Sequence, residues 1–129
     1  MTVRGPADSE EVLRILAVLR GTQKLWVLDE HRNLVAVAPE EVVWCEVVED
    51  KVFVYTERAI FESPLGLGEL ESRWEQVGFF RCAKSAVINL AAIRRLKSCP
   101  GGRIEAELAT GERVMISRRY APFLRERIK

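Results

Sequence analysis

Arg118 and Arg119 follow an apolar alternating segment directly and stand at or before the start of a closing helix. Cations at a helix N-terminus are disfavoured by the helix dipole, by roughly 0.3–1 kcal/mol. A pair that works against local stability invites a ligand. The best-suited anion is a phosphate, or a guanine edge read by a bidentate guanidinium. The plainer account is a salt bridge to a nearby glutamate. Arg81 lies in the run Phe79-Phe80-Arg81-Cys82-Ala83-Lys84-Ser85, where two aromatics lead into the cation. Lys84-Ser85 adds a second cation and a neutral hydroxyl donor just after a strand; its plainer account is a solvated loop. Lys51 sits at a hairpin tip, where a lysine on its own means little. Cationic and hydroxyl groups beside residues that want a core are how a fold holds basic side chains at fixed places on its surface.

Other chemistries find little support. His31 is the sole histidine and lies in a charged turn, where packing cannot hold it for Ser-His-Asp or Cys-His work. Zinc normally takes three or four closely spaced Cys/His ligands, and one histidine with three separated cysteines does not offer them. There is no GxxxxGK[ST] loop and no Gly-rich strand-to-helix turn for a dinucleotide. The expectation is therefore no enzyme, with no catalytic residue, cofactor, metal or small-molecule substrate evident.

The 129 residues suit one domain, and 48% hydrophobic residues can form a core without a disulfide staple. Cys45, Cys82 and Cys99 are an odd set without CxxC spacing, which implies reduced thiols and a cytoplasmic location. No apolar run is long enough to span a membrane, and the first residues lack signal-peptide anatomy. Residues 1–78 hold 8 Lys+Arg against 15 Asp+Glu, whereas residues 79–129 hold 12 against 4. A basic C-terminal part can make a local positive field although the net charge is only +1.

The elements that would position these residues are mostly strands. Leu25–Leu28, Leu34–Val37, Val42–Val48, Val52–Thr56 and Ala59–Glu62 read as an antiparallel meander, with tight turns at Asp29–Asn33 and Glu49–Lys51. Leu70, Trp74 and Val77 give a short helix over Gly68–Gln76. Arg94–Ser98 reads as a strand with alternating faces. The turn Cys99–Gly102, the strand Ile104–Leu108, the hairpin Thr110-Gly111 and the strand Val114–Ile116 follow. The closing helix covers Tyr120–Lys129. Pro122 leaves two starts open: a Ser117 cap with an irregular first turn, or a start near Pro122. At the other end, Asp8–Arg20 reads as an amphipathic helix with Val12, Ile15, Leu16 and Leu19 on one face. That stripe needs a surface. Its candidates are the early strands near Trp26 or Trp44, or the same helix on a second chain, and we expect a homodimer through it.

The pattern Phe80-Arg81-x-x-Lys84-Ser85-x-x-Ile88-Asn89-Leu90-x-x-Ile93 resembles the most recognisable stretch of the LytTR (LytR/AlgR-type) DNA-binding domain family. Thr110-Gly111 and Val114-x-Ile116-Ser117-Arg118-x-Tyr120 match it downstream in order and spacing. Val42–Glu46 and Val52–Thr56 match its paired early strands. The resemblance runs from about Lys24 to the end, so the chain divides into an N-terminal helical extension, 1–22, and a LytTR-like domain, 23–129. It implies a mainly β, elongated arrangement of small antiparallel sheets with short helices, not a helix-turn-helix. It implies sequence-specific binding of double-stranded DNA by loops that enter successive major grooves. Base-reading positions would fall near Lys51, at Lys84 and at Arg118, with Arg81, Ser85 and Arg119 as phosphate or supporting contacts. Where the family often has histidine this chain has Ala83. Asn89 is assigned to turn structure. The reading is a bacterial-type, cytoplasmic transcription regulator. The alternative is a protein-interaction module on the same fold that binds a partner regulator, which the acidic first half and the apolar helix would suit.

Overall fold

The computed structural model describes residues 23–128; the expected helix over Asp8–Arg20 lies outside them. Among the described residues, runs rich in Val, Ile and aromatic residues form ten antiparallel strands. They are β1 (Leu25–Leu28), β2 (Leu34–Val37), β3 (Val42–Val48), β4 (Lys51–Thr56), β5 (Ile60–Ser63), β6 (Phe79–Ala83), β7 (Ala86–Asn89), β8 (Ile93–Cys99), β9 (Arg103–Leu108) and β10 (Arg113–Ile116). Among the described residues two short α-helices accompany them, α1 (Leu67–Trp74) and α2 (Ala121–Arg127), with several 3-10 turns. The class is mainly β, as expected.

The pairing departs from a simple meander. Seven strands form one sheet in the order β2-β1-β5-β4-β3-β7-β6, and three form a second in the order β10-β9-β8. β1 pairs with β5 at Leu28 and Glu62, so the first hairpin folds back beside the end of the meander. β3 pairs with β4 on one edge and with β7 on the other, which joins the hairpins into one large sheet where several small ones were expected.

Strand alternation splits the large sheet into two faces. Val42, Cys45, Val54, Phe79 and Val87 meet Leu67, Leu70 and Trp74 of α1 in one core. Val43, Trp44, Phe80, Cys82 and Ile88 meet Ile104, Ala106, Val114 and Ile116 of the second sheet, with Ala121 and Leu124 of α2, in the other. Each fully buried side chain of this size stabilises the fold by about 1.5–3 kcal/mol at most. Trp44 stacks on Tyr55 with ring centroids 4.7 Å apart, so it fills the second core and offers no open floor to another helix. β8 corrects another expectation. As an edge strand it is exposed on both faces from Arg94 to Ser98, rather than alternating.

α1 begins one residue earlier than the periodicity predicts and passes into a 3-10 turn over Glu75–Val77. The Glu69 carboxylate accepts from the Gly66 amide at 2.9 Å, which satisfies an amide at the helix start. α2 resolves the Pro122 ambiguity: it starts at Ala121 and places Pro122 in its first turn, where the missing N–H has no intrahelical partner to lose. Asn89 is structural, as assigned. Its amide donates to the Val42 carbonyl at 2.8 Å, and its oxygen accepts from the Ala91 amide at 3.0 Å.

Candidate functional site

Three turns gather beside one end of the β4-β3-β7-β6 part of the large sheet. The first joins β6 and β7 through Lys84 and Ser85, both exposed. The Ser85 carbonyl accepts from the Val47 amide at 2.9 Å, which ties this turn to the end of β3. Arg81 is engaged from within. Its Nε donates to the Ala83 carbonyl at 2.9 Å, Nη2 to the Lys84 carbonyl at 2.6 Å, and Nη1 to Glu71 of α1 at 2.9 Å. With 23% of its side chain exposed, Arg81 is built into the base of the turn, whereas Lys84 projects from it.

The second turn joins β3 and β4 through Glu49 and Asp50, with φ of 50° and 66°. Positive φ at both central residues belongs to the type I′ hairpin, whose twist suits the flanking strands. Lys51 pairs with Val48 and is therefore the first residue of β4, not part of the tip. It stands two strands from the Lys84 turn, about 10 Å away at the usual strand spacing. Glu49 and Asp50 put two carboxylates beside it.

The third turn leads from β10 to α2 and carries Arg118 and Arg119, both exposed. The Ser117 amide donates to the Cys82 carbonyl at 2.9 Å and so fastens this turn to β6, beyond the edge of the large sheet. The amides of Tyr120 and Ala121 both donate to the Ser117 carbonyl at 3.0 Å, closing the turn without any side chain. The Arg119 guanidinium lies 5.7 Å from the Tyr120 ring centroid, within reach of a cation–π contact. Among the described residues, Lys51, Lys84, Arg118 and Arg119 make no ion pair. The glutamate bridge that the sequence left open for Arg118 and Arg119 is absent there.

Sequence reasoning missed three participants. The Gly101-Gly102 turn was read only as a turn, yet a Cβ on Gly102 would lie 3.1 Å from Arg118 Cγ. The arginine stem therefore runs across that glycine. Arg103, next to the Ile104–Ile116 pair, brings another cation to this corner, and its Nε donates to the Pro100 carbonyl at 3.2 Å. Glu71 had no signal in the sequence, because nothing in its spacing points to Arg81. His31 is a surface residue, as expected, and Cys82 lies in the second core. His31 is exposed beside Glu30, and burial pushes the Cys82 thiol up to about 12, keeping it protonated. No group of three His/Cys/Asp/Glu among the described residues is placed to hold a metal ion.

Comparison with known proteins adds a lineage to this geometry. The LytTr DNA-binding domain family matches residues 32–129. An uncharacterized HTH-type transcriptional regulator of Staphylococcus aureus (strain bovine RF122 / ET3-1) is 26% identical over 130 residues, covering 98% of this chain and 86% of that protein. A second, from strain NCTC 8325 / PS 47, is 27% identical with the same coverage. A solved LytTr DNA-binding domain from Bacillus cereus shares the fold with a TM-score of 0.77 and 23% identity, over 84% of this chain and 98% of that one. In the chain described here five strands separate α1 from α2, so these two helices form no helix-turn-helix.

Proposed function

This chain belongs to the LytTr DNA-binding domain family, and from that premise we propose that it is a sequence-specific transcription regulator reading the major groove of double-stranded DNA through its loops. The observation that carries the reading is the convergence, on neighbouring turns, of cations that make no ion pair among the described residues, with the turns fastened by the Ser85–Val47 and Ser117–Cys82 backbone bonds. Arg118 takes a guanine edge, whose O6 and N7 accept a guanidinium in bidentate fashion. Lys84 is the second base-reading group, Lys51 the third. Ser85 and Arg119 contact phosphates and set register without reading sequence. Arg81 supports the Lys84 turn. The regulator works in the bacterial cytoplasm, where its three cysteines remain thiols. No helix among the described residues is long and apolar enough to cross a membrane.

Selection of bound duplexes from a random pool tests the reading and returns the site at once. Enrichment of a defined sequence is the expected result, and a pool that stays random would end the proposal. Affinity should also fall by about 0.9 log units per log unit of salt for each phosphate neutralised.

The homodimer belongs to the same proposal. Residues 8–20 pair two copies through Val12, Ile15, Leu16 and Leu19, and two linked reading heads gain affinity through effective concentration. Light scattering on the full chain and on one starting at Thr22 decides this; monomers in both at micromolar concentration would remove it. The alternative, a module binding a partner regulator, draws on Ile60, 56% exposed, and Leu34, 38% exposed, on strands outside the second core. It gains ground only if the duplex selection fails.

A further inference from the structure

Lys84 must be held still if it is to distinguish one base from another, and the strand ladder alone does not do this. The β6–β7 register shifts between Arg81 and Ala83, immediately before the turn. Such a bulge locally disrupts the ladder and leaves backbone groups without their usual cross-strand partners. Two carbonyls at that place, those of Ala83 and Lys84, accept from the Arg81 guanidinium at 2.9 and 2.6 Å. A planar guanidinium reaches both from one side because its donors form a rigid fork. What holds the fork in that plane is the third bond, to Glu71 Oε1 at 2.9 Å. Glu71 is on α1, which packs on the face of the sheet opposite the second sheet.

We propose that Glu71 is a positioning residue for sequence readout, acting through Arg81 on the turn that presents Lys84. This rests on the DNA-binding reading given above and deepens it. The plainer role of the pair is a partly exposed ion pair of little consequence. A second competing role has Arg81 neutralising a phosphate, with Glu71 incidental. The three accounts predict different signs. Glu71 contributes a negative charge near a surface that meets a polyanion, so removing it should tighten DNA binding if charge is all that matters. If Glu71 fixes the Lys84 turn, removing it weakens binding to the preferred duplex even though repulsion falls.

The test uses the full chain and two duplexes. One carries the preferred sequence from the selection, and the other has the base pairs that depend on Lys84 replaced. Those positions come from selecting with Lys84→Ala. Glu71→Ala is expected to bind the preferred duplex on the order of ten-fold more weakly, a share of what one well-placed base contact contributes. It should bind the altered duplex about as the parent does, so the ratio between the two collapses. Arg81→Lys keeps the charge but cannot reproduce the fork, and it should lose the same ratio. Glu75→Ala removes a neighbouring carboxylate, and the Glu75 group that the structure engages is its carbonyl, with Arg127 Nη2 at 3.5 Å. It should preserve the ratio. Glu71 is half-buried, so the fold should survive its removal; a thermal melt on each variant confirms this, and Glu71→Gln, which keeps an acceptor oxygen, should recover most of the ratio. Equal or tighter binding by Glu71→Ala with the parent's ratio overturns the inference, as does an Arg81→Lys variant that binds like the parent. A parent with no preference among duplexes takes down the DNA reading and this inference together.

Discussion

On the outer face of the three-stranded sheet, Arg95, Glu107 and Arg113 lie across from one another in register, and Lys97, Glu105 and Met115 form the next row. At the loop end, Lys84, Arg118 and Arg119 have no carboxylate bound to them among the described residues. Both regions belong to the basic C-terminal half, and both are exposed. They differ in what fixes each cation's neighbours. In a ladder the opposite residue is about 5 Å away by construction, so one glutamate per rung cancels much of the local field. Arg95 and Glu107 are 3.6 Å apart at closest, a weak surface pair that nevertheless keeps opposite charges together. In the turns, backbone hydrogen bonds, joined at Lys84 by the Arg81 guanidinium, hold the shape and leave Lys84, Arg118 and Arg119 exposed. A count of basic residues treats the two regions alike. On the ladder only Arg95 makes an ion pair among the described residues, but Lys97 and Arg113 also stand opposite a glutamate in register, whereas Lys84, Arg118 and Arg119 have no cross-strand partner.

The largest expected effect tests that difference directly. Arg118→Ala should cost about 1–3 kcal/mol on the preferred duplex and relax the choice of base at one position. Arg113→Ala removes the same charge from the ladder and should change affinity by less than about 0.5 kcal/mol, since long-range terms are screened at physiological salt. Titration of both variants with the selected duplex makes the comparison, and equal losses would break it.

Next in size is Gly102→Ala. Its φ of 78° is a conformation that costs an L-residue about 1–2 kcal/mol. The added Cβ would lie 3.1 Å from Arg118 Cγ and 3.4 Å from its Cδ, so the stem must shift. Denaturant unfolding should show a loss of that order. DNA titration should show a weaker preference at the Arg118 position alone. Lost stability with an unchanged preference would mean that Arg118 does not depend on this seat.

Arg119→Ala is the smaller phosphate test. It should weaken all duplexes alike and flatten the log–log salt slope by about one unit. Lys97→Ala, on the ladder, should leave the slope unchanged, and a matched change in both variants would merge the two regions into one electrostatic surface.

Much of this was legible in the sequence, for particular reasons. Val42–Val48 was read with its observed bounds because β-branched residues run up to a turn whose chemistry is local. Lys84-Ser85 was placed by the strand before it, and Arg118-Arg119 by a strand before and a helix start after, again local properties. What could not be read was long-range. The Leu28–Glu62 pairing that turns the meander into a folded-back sheet links residues far apart in sequence and leaves no periodic trace. β8 looked alternating because Leu96 stands among cations, but its edge position leaves both faces open. Arg81 shows the limit most clearly. Its residue type and its place in the motif suit a phosphate contact. Whether its donors face solvent or the carbonyls of Ala83 and Lys84 depends on a bulge and on a glutamate ten residues away.

The smallest expected effect comes from the β3–β4 tip, where the loop end is least purely basic. Asp50 holds a φ of 66° beside Lys51, and Glu49 one of 50°. Asp50→Gly removes a left-handed strain of about 1 kcal/mol, and the freedom of glycine in the unfolded chain returns roughly 0.5–1 kcal/mol of it. Net stability should therefore rise by no more than a few tenths of a kcal/mol. The same change removes a negative charge from the loop end. A unit charge about 7 Å from a phosphate in water interacts by roughly 0.6 kcal/mol before salt, and screening over a Debye length of about 8 Å cuts that further. Binding should tighten on every duplex by less than about two-fold at physiological salt, and by more at low salt. A uniform gain that fades with salt would place Asp50 among the residues that merely oppose the field. A loss confined to duplexes with a cytosine at one position would mean the opposite: the carboxylate accepts from the cytosine N4 amine. The tip would then read sequence with its acids, and the contrast between matched ladder and unmatched loops would have to be redrawn around Lys51.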